Sequence, residues 1–394
     1  MAKSTLSRVE CLDGLRGIAA FWVLIGHCAI LTGWSLPVID KPDLGVDLFM
    51  MLSGFLMVFQ YHLRAKVEPW SEPGSWMKFW IRRYFRIAPL YCVMLAIALA
   101  LGPAILARRT MIEHFLHLAP LAPPESYIDA SLTNIAAHLS FLFGLLPAYS
   151  VRTPLPDWSL GLEMQFYAVF PALMLLTKKL SWTRAVVFTA LVAAVITHAT
   201  WHFSTRFPVP SFLPFKIDIF LAGMLLAESC GKGRRTAAAY FALALVLAYQ
   251  PFQGEGSLQR MAVREIMVFV LFALVLNELL PARLGNCARK AAAILGHNPL
   301  RWLGEISYST YLLHLPIMAP VAAFVILRWG HDISAFTRFT VALLAVSAIV
   351  YPLSWLTYKI IEIPGQGAGR AILRRITGKS IDTQGDRPES LAAP

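Results

Sequence analysis

Long apolar runs, several with ionisable side chains inside them, constrain this chain more than any other feature. Stretches near 12–33, 44–63, 86–107, 160–177, 185–203, 212–229, 236–251, 262–280, 303–327 and 338–361 are apolar over lengths suited to a bilayer, whose hydrocarbon core is about 30 Å thick. In hydrocarbon each backbone amide must be satisfied within its own element, which for runs of this kind means a helix. Composition agrees, with 57% hydrophobic and 15% charged residues, so a soluble globular domain is excluded. The expected fold is all-α, a polytopic integral membrane protein of about ten transmembrane helices. A shorter apolar segment, Asn134 to Tyr149, contains His138 and Pro147, falls below spanning length, and is read as re-entrant or interfacial.

Loop charge sets the orientation, because Lys and Arg are retained on the cytoplasmic side. With both termini cytoplasmic, the inner segments are the N-terminus, 64–86, 178–184, 230–235, 281–301 and the tail. They hold about 23 of the 35 basic residues, including "TKKLSWTR", "GKGRR" and "RAILRR". An eleventh span would move "GKGRR" and the basic tail outside, against that bias. The net charge of +12 is spread between apolar runs and does not form a compact patch with interleaved aromatics, so nucleic acid is not an expected partner. The lipid bilayer is the expected one, and the cell inner (cytoplasmic) membrane the expected location.

Lys3 and Arg8 before the first apolar run look like the start of a signal peptide. The run continues past a normal signal core without a convincing small-residue cleavage site, so it reads as a retained first span. The five cysteines are scattered and free of CxxC spacing, which points to neither a disulfide framework nor a metal site. No internal repeat is visible. The expected domains are a single membrane domain over 1–369 and a polar cytoplasmic tail over 370–394, read as disordered. Oligomeric state is left open.

The first span carries the strongest functional signal. Ionisable groups in hydrocarbon cost several kcal/mol each unless paired or solvated, yet "LDGLRGIAAFWVLIGH" holds Asp13, Arg16 and His27. On a helix Arg16 and His27 fall within about 20° of one another and about 16 Å apart along the axis, with Asp13 near the same face. Gly14, Gly17 and Gly26 along the helix permit close approach of a ligand or a second helix. His27 is the natural general base, since neutral imidazole accepts a proton near physiological pH, and Arg16 suits an anionic or carbonyl-bearing partner.

Arg16, ten intervening residues and His27 resemble the signature of membrane acyltransferase family 3. Further blocks match in order: "VDLFMMLSGFLM" (Val46 to Met57), "RRYFRIAPLY" (Arg82 to Tyr91), "DWSLGLEMQFYAVFP" (Asp157 to Pro171) and "LGEISYSTYLLHLPI" (Leu303 to Ile317). The resemblance covers roughly residues 8–365 and implies an acyl-CoA-dependent O-acyltransferase acting on extracytoplasmic glycans or small molecules. The co-substrate it implies is acyl-CoA, with acetyl-CoA the commoner expectation and no metal; the acceptor is a carbohydrate or small-molecule hydroxyl.

In that light Arg82, Arg83 and Arg86 are candidate clamps for the phosphates of coenzyme A, together with Arg16, because guanidinium forks suit phosphate oxygens. Glu163 is a candidate catalytic group, to orient the His27 imidazole, bind an acceptor hydroxyl or stabilise an imidazolium. Asp157 and Tyr167 belong to the same block. Gly161 and Met164 stand where the family more often has Ser and Glu, so a second adjacent carboxylate is missing. Ser307, Tyr311 and His314 share a helical face and are further candidates to touch acceptor or support the site. Asp47 and Ser53 are read first as packing polar groups and second as site residues.

The expected reaction moves an acyl group from cytoplasmic donor to outer acceptor, with His27 as base or transient acyl carrier. A transporter or flippase for a polar or anionic substrate would use a similar Arg, His and Glu path, but it leaves the combined blocks unexplained and lacks visible inverted repeats. A receptor without turnover would need a larger outer domain than the loops supply.

Overall fold

The computed structural model describes residues 2–65, 68–120, 123–249 and 257–377. The described residues form helices and connecting turns, with no strand among them. In chain order the helices are α1 (Ala2–Thr32), α2 (Pro42–Arg64), α3 (Pro73–Leu116), α4 (Leu132–Leu139), α5 (Trp158–Leu180), α6 (Trp182–Ala199), α7 (Trp201–Ser204) and α8 (Ile217–Ser229). They continue with α9 (Arg234–Tyr249), α10 (Leu258–Val275), α11 (Ala282–Leu295), α12 (Asn298–Glu305), α13 (Ser307–Trp329), α14 (Ala335–Thr357) and α15 (Ile363–Thr377). Large apolar side chains such as Phe188, Val195, Val246, Phe324 and Leu344 are exposed around the outside of the bundle, a surface that calls for lipid. The chain is an all-α, multi-pass membrane protein.

Seven helical stretches among the described residues are long and apolar enough to span: Glu10–Thr32, Pro42–Arg64, Gly74–Leu116, Trp158–Leu180, Trp182–Ala199, Ser307–Trp329 and Ala335–Ile376. The other three of the about ten expected spans are α8, α9 and α10. The first two have 13 and 16 residues, and α10 carries Arg260, Arg264 and Glu265. All of α8 is buried, so protein and not lipid surrounds it.

Several boundaries differ from those read in the sequence. The third span, expected over 86–107, lies within a 44-residue helix about 66 Å long, longer than the hydrocarbon core of about 30 Å. The run expected over 303–327 is broken at Ile306 into α12 and α13. The last run continues through a π turn at Tyr358–Glu362 into α15, which stays helical to Thr377, beyond the expected boundary at 369. The rest of the expected tail, 378–394, lies outside the described residues. Segment 134–149 holds α4, eight residues long and capped by the Ser131 hydroxyl, then two short 3-10 turns, none long enough to cross.

Backbone-to-backbone packing holds the site helices in place. A Cβ on Gly54 would strike the Phe220 carbonyl and one on Gly223 the Met51 carbonyl, so α2 and α8 meet with no side chain between them. At the other side of α1, Gly304 of α12 sits against the Asp13 carbonyl in the same way. A large apolar core joins α1, α2, α3, α5, α8, α10 and α13, and a smaller one joins α1, α3, α13 and α14 around Cys28, Ile112, Ala322 and Val346.

Candidate active site

Helices α1, α2, α3, α5 and α13 line one cavity, with Phe220 of α8 completing its wall. The helices α1, α3 and α13 run one way along it, and α2 and α5 the other. Tyr167 therefore lies beside Arg83, Glu163 farther along, and Ser159 beside Tyr311.

Three guanidinium side chains, Arg16, Arg83 and Arg86, line one end. Arg83 and Arg86 are three apart on α3 and share a face, whereas Arg82 points about 100° away from Arg83. Arg82 instead forms a two-pronged pair with Glu68, at 3.0 and 2.5 Å, and is not among the lining residues. Helical phase thus sends Arg82 to a carboxylate outside the cavity, apart from Arg83 and Arg86. Arg83 is buried, donates to Gln60 Oε1, and places its guanidinium 5.6 Å from the Tyr167 ring centroid. Arg16 lies 3.8 Å from the buried Asp13 carboxylate on its own helix.

Glu163 is the carboxylate of the cavity wall. The Ser53 hydroxyl donates to its Oε1 at 3.1 Å, and the Tyr167 hydroxyl donates to the same oxygen. Ser307 and Tyr308 line the cavity while their hydroxyls donate to the Gly304 carbonyl at 2.7 Å and the Ile87 carbonyl at 2.7 Å. At the far end Tyr311 donates to the Pro156 carbonyl at 2.6 Å and its hydroxyl oxygen lies 2.7 Å from Ser159 Oγ.

Beyond Tyr311 stands a pair of histidines. His314 Nε2 is 3.1 Å from His27 Nδ1, with ring centroids 5.0 Å apart. His27 is half-buried and His314 buried; neither is among the cavity-lining residues, and Tyr311 of the wall has its ring 5.7 Å from that of His314. The imidazole partner of His27 is thus His314, and Glu163 is held by Ser53 and Tyr167.

Two further candidates are drawn into other networks. Asp47 faces away from the cavity and is enclosed with Lys216, at 2.9 Å, and Arg264, at 2.7 Å. Asp157 is buried between the Tyr91 hydroxyl at 3.0 Å and the Thr153 hydroxyl at 2.8 Å, with His138 Nε2 at 3.7 Å. Both read as braces of the helices that carry Val46 and Ser159 into the wall. Lys216 and Arg264 escaped the sequence reading, although charges in apolar runs are a usable signal. Ser159 lay within the quoted block without being singled out. Among the described residues no cluster of three or more His, Cys, Asp or Glu side chains is arranged to hold a metal ion.

The comparisons with known proteins agree with this picture. A family model described as an acyltransferase domain matches residues 9–359. Peptidoglycan O-acetyltransferase OatA of Listeria monocytogenes is 25% identical over 343 residues, covering 79% of this chain and 49% of OatA. The chain thus spans about half the length of that relative. The putative membrane-bound transacylase BcsY of Komagataeibacter xylinus is 29% identical over 371 residues, 91% of this chain and 83% of BcsY. The exopolysaccharide production protein ExoZ of Rhizobium meliloti is 26% identical over 335 residues, 84% of this chain and 92% of ExoZ. No solved structure matches the chain.

Proposed function

Because the chain belongs to acyltransferase family 3, whose members are membrane-bound acyltransferases, we propose that it transfers an acyl group, in the first instance acetyl, from cytoplasmic acyl-CoA to a hydroxyl of an extracytoplasmic glycan or related acceptor. The observation that carries this reading is the convergence of Arg16, Arg83 and Arg86 on one end of a cavity whose other end abuts the Tyr311–His314–His27 line. Three guanidiniums and one carboxylate make an anion site, and guanidinium forks suit the phosphates of coenzyme A.

With the donor held there, the acyl thioester points along the cavity toward the histidines. His27 takes the proton of the acceptor hydroxyl as its oxygen bonds to the acyl carbon, or carries the acyl group transiently. In either route the C–S bond breaks and the sulfur leaves as CoA–SH. Glu163 receives both of its hydrogen bonds on Oε1, and its Oε2 is assigned to the acceptor or to the charge of the arginines. The location proposed is the inner membrane, where both faces needed by this reaction exist.

The test is incubation of the purified protein in proteoliposomes with labelled acetyl-CoA and a panel of glycan acceptors. Label appearing in an acceptor ester supports the reading; acceptor crossing the bilayer unmodified, without ester formation, replaces it with a transporter.

A further inference from the structure

We propose that His314 is a positioning residue that, together with the Val23 carbonyl, holds the His27 ring with its hydrogen on Nδ1, so that Nε2 of His27 is the nitrogen that receives the acceptor proton. The proposal rests on the reading of His27 as the base given above.

Atoms that can only accept fix the proton positions of both rings. His314 Nδ1 lies 2.6 Å from the Tyr311 carbonyl. A carbonyl oxygen has no proton to give, so His314 Nδ1 carries the hydrogen and donates it. In a neutral imidazole Nε2 is then a bare lone pair, and that atom faces His27 Nδ1 at 3.1 Å. His27 Nδ1 is also 3.0 Å from the Val23 carbonyl one turn back on α1. Both neighbours of His27 Nδ1 are therefore acceptors, and its hydrogen is shared between them. The remaining nitrogen of His27, Nε2, has the lone pair.

The arrangement has the logic of an oriented base: one nitrogen is tied down by a donated hydrogen bond, which sets the ring angle and the tautomer, and the other is presented to substrate. In the reaction the acceptor O–H proton passes to His27 Nε2 as oxygen bonds to the acyl carbon and the C–S bond breaks. The sulfur of coenzyme A then takes that proton from the imidazolium, which returns His27 to its starting tautomer. Throughout, the His27 Nδ1–H continues to donate to His314 Nε2, so the lone pair of His314 stabilises the transient positive charge.

Histidine ring nitrogens labelled with 15N, in protein reconstituted in nanodiscs near neutral pH, read the tautomer directly, with the His27 signals assigned by their loss in His27→Ala. The expected wild-type spectrum has His27 protonated on Nδ1 and bare on Nε2. His314→Leu removes one of the two acceptors and leaves the Val23 carbonyl to hold the Nδ1–H tautomer; it should shift the His27 Nδ1 signal and lower kcat by about tenfold or more through loss of the ring's orientation, with KM for acyl-CoA within about twofold. His314→Gln, whose amide oxygen can accept from Nδ1–H, should restore the Nδ1 signal and most of kcat. Wild-type His27 protonated on Nε2, or a leucine variant with wild-type kcat, overturns the proposal. If the leucine variant does not fold, the wild-type spectrum and the glutamine variant decide. A fully active His27→Ala would remove the base assigned under the proposed function, and the spectrum judges the histidine pairing independently of that result.

Discussion

Tyr311 and Ser159 are joined by a hydrogen bond of 2.7 Å that ties α13 to the first turn of α5. The tyrosine's own hydrogen goes to the Pro156 carbonyl at 2.6 Å, so the serine is the donor of the pair. This junction closes the cavity at the end nearest His314 and fixes the backbone carbonyl that receives the His314 Nδ1–H. Tyr311→Phe leaves a carbonyl and a hydroxyl without their partners at a buried position. It is expected to cost about 1–3 kcal/mol, seen as a lower midpoint of thermal unfolding in detergent, and to depress turnover as well.

Arg86 and Arg82 should separate cleanly. Arg86 lines the cavity, whereas Arg82 is committed to Glu68. Loss of a charge-assisted contact to phosphate is worth about 1.5–3 kcal/mol, or roughly tenfold or more in affinity. Arg86→Ala is expected to weaken CoA binding by that amount and to flatten its salt dependence, while Arg82→Ala leaves CoA affinity within about twofold. Titration with CoA at two salt concentrations checks both. Unchanged affinity in Arg86→Ala would return this residue to a topology anchor.

The Asp47, Lys216 and Arg264 triad predicts a different phenotype. Asp47→Ala would leave two buried cations without their shared carboxylate. Breaking a buried pair in this way typically costs about 3–5 kcal/mol. The expected result is loss of folded protein in size-exclusion profiles. Replacing all three members by Leu, Met and Met should recover much of the folded yield, since well-packed apolar side chains can substitute for a buried ion group. Failure of the triple variant where the single variant folds well would contradict this assignment.

What could be read in the sequence divides along a physical line. Features that lie on one element were legible: the apolar runs, the Arg16 to His27 stripe on α1, and the face shared by Ser307, Tyr311 and His314, because helical periodicity alone sets them. Pairings between elements were not. His27 meets a residue 287 positions away, Asp47 partners 169 and 217 positions away, and Ser53 a carboxylate 110 positions away. Those meetings are made by close contacts such as Gly54 against Phe220, and no spacing within a helix announces them. The full length of α3 was hidden for another reason: hydropathy picks out the most apolar stretch, and the helix continues on both sides of it through residues of mixed character. That Arg82 turns to Glu68 while Arg83 and Arg86 line the cavity was not legible either, because adjacent basic residues look alike as composition and differ only in helical phase.

His27→Ala should abolish ester formation while leaving expression, membrane insertion and thermal stability near wild type, because the side chain is half-buried and its hydrogen bonds are to a carbonyl of its own helix and to one neighbouring imidazole. Acetyl transfer at a near-normal rate by a well-folded variant would remove His27 from the chemistry.

The central claim is that donor and acceptor meet from opposite faces of the membrane, through a path running from the arginines to His27. Sealed vesicles of known orientation test it directly, with labelled acetyl-CoA supplied only at the cytoplasmic face and an impermeant hydroxyl acceptor only at the other. Labelled ester on the outer acceptor, dependent on Arg86 and on His27, is the expected result. Transfer that occurs only when both substrates share the cytoplasmic face of intact vesicles would contradict it.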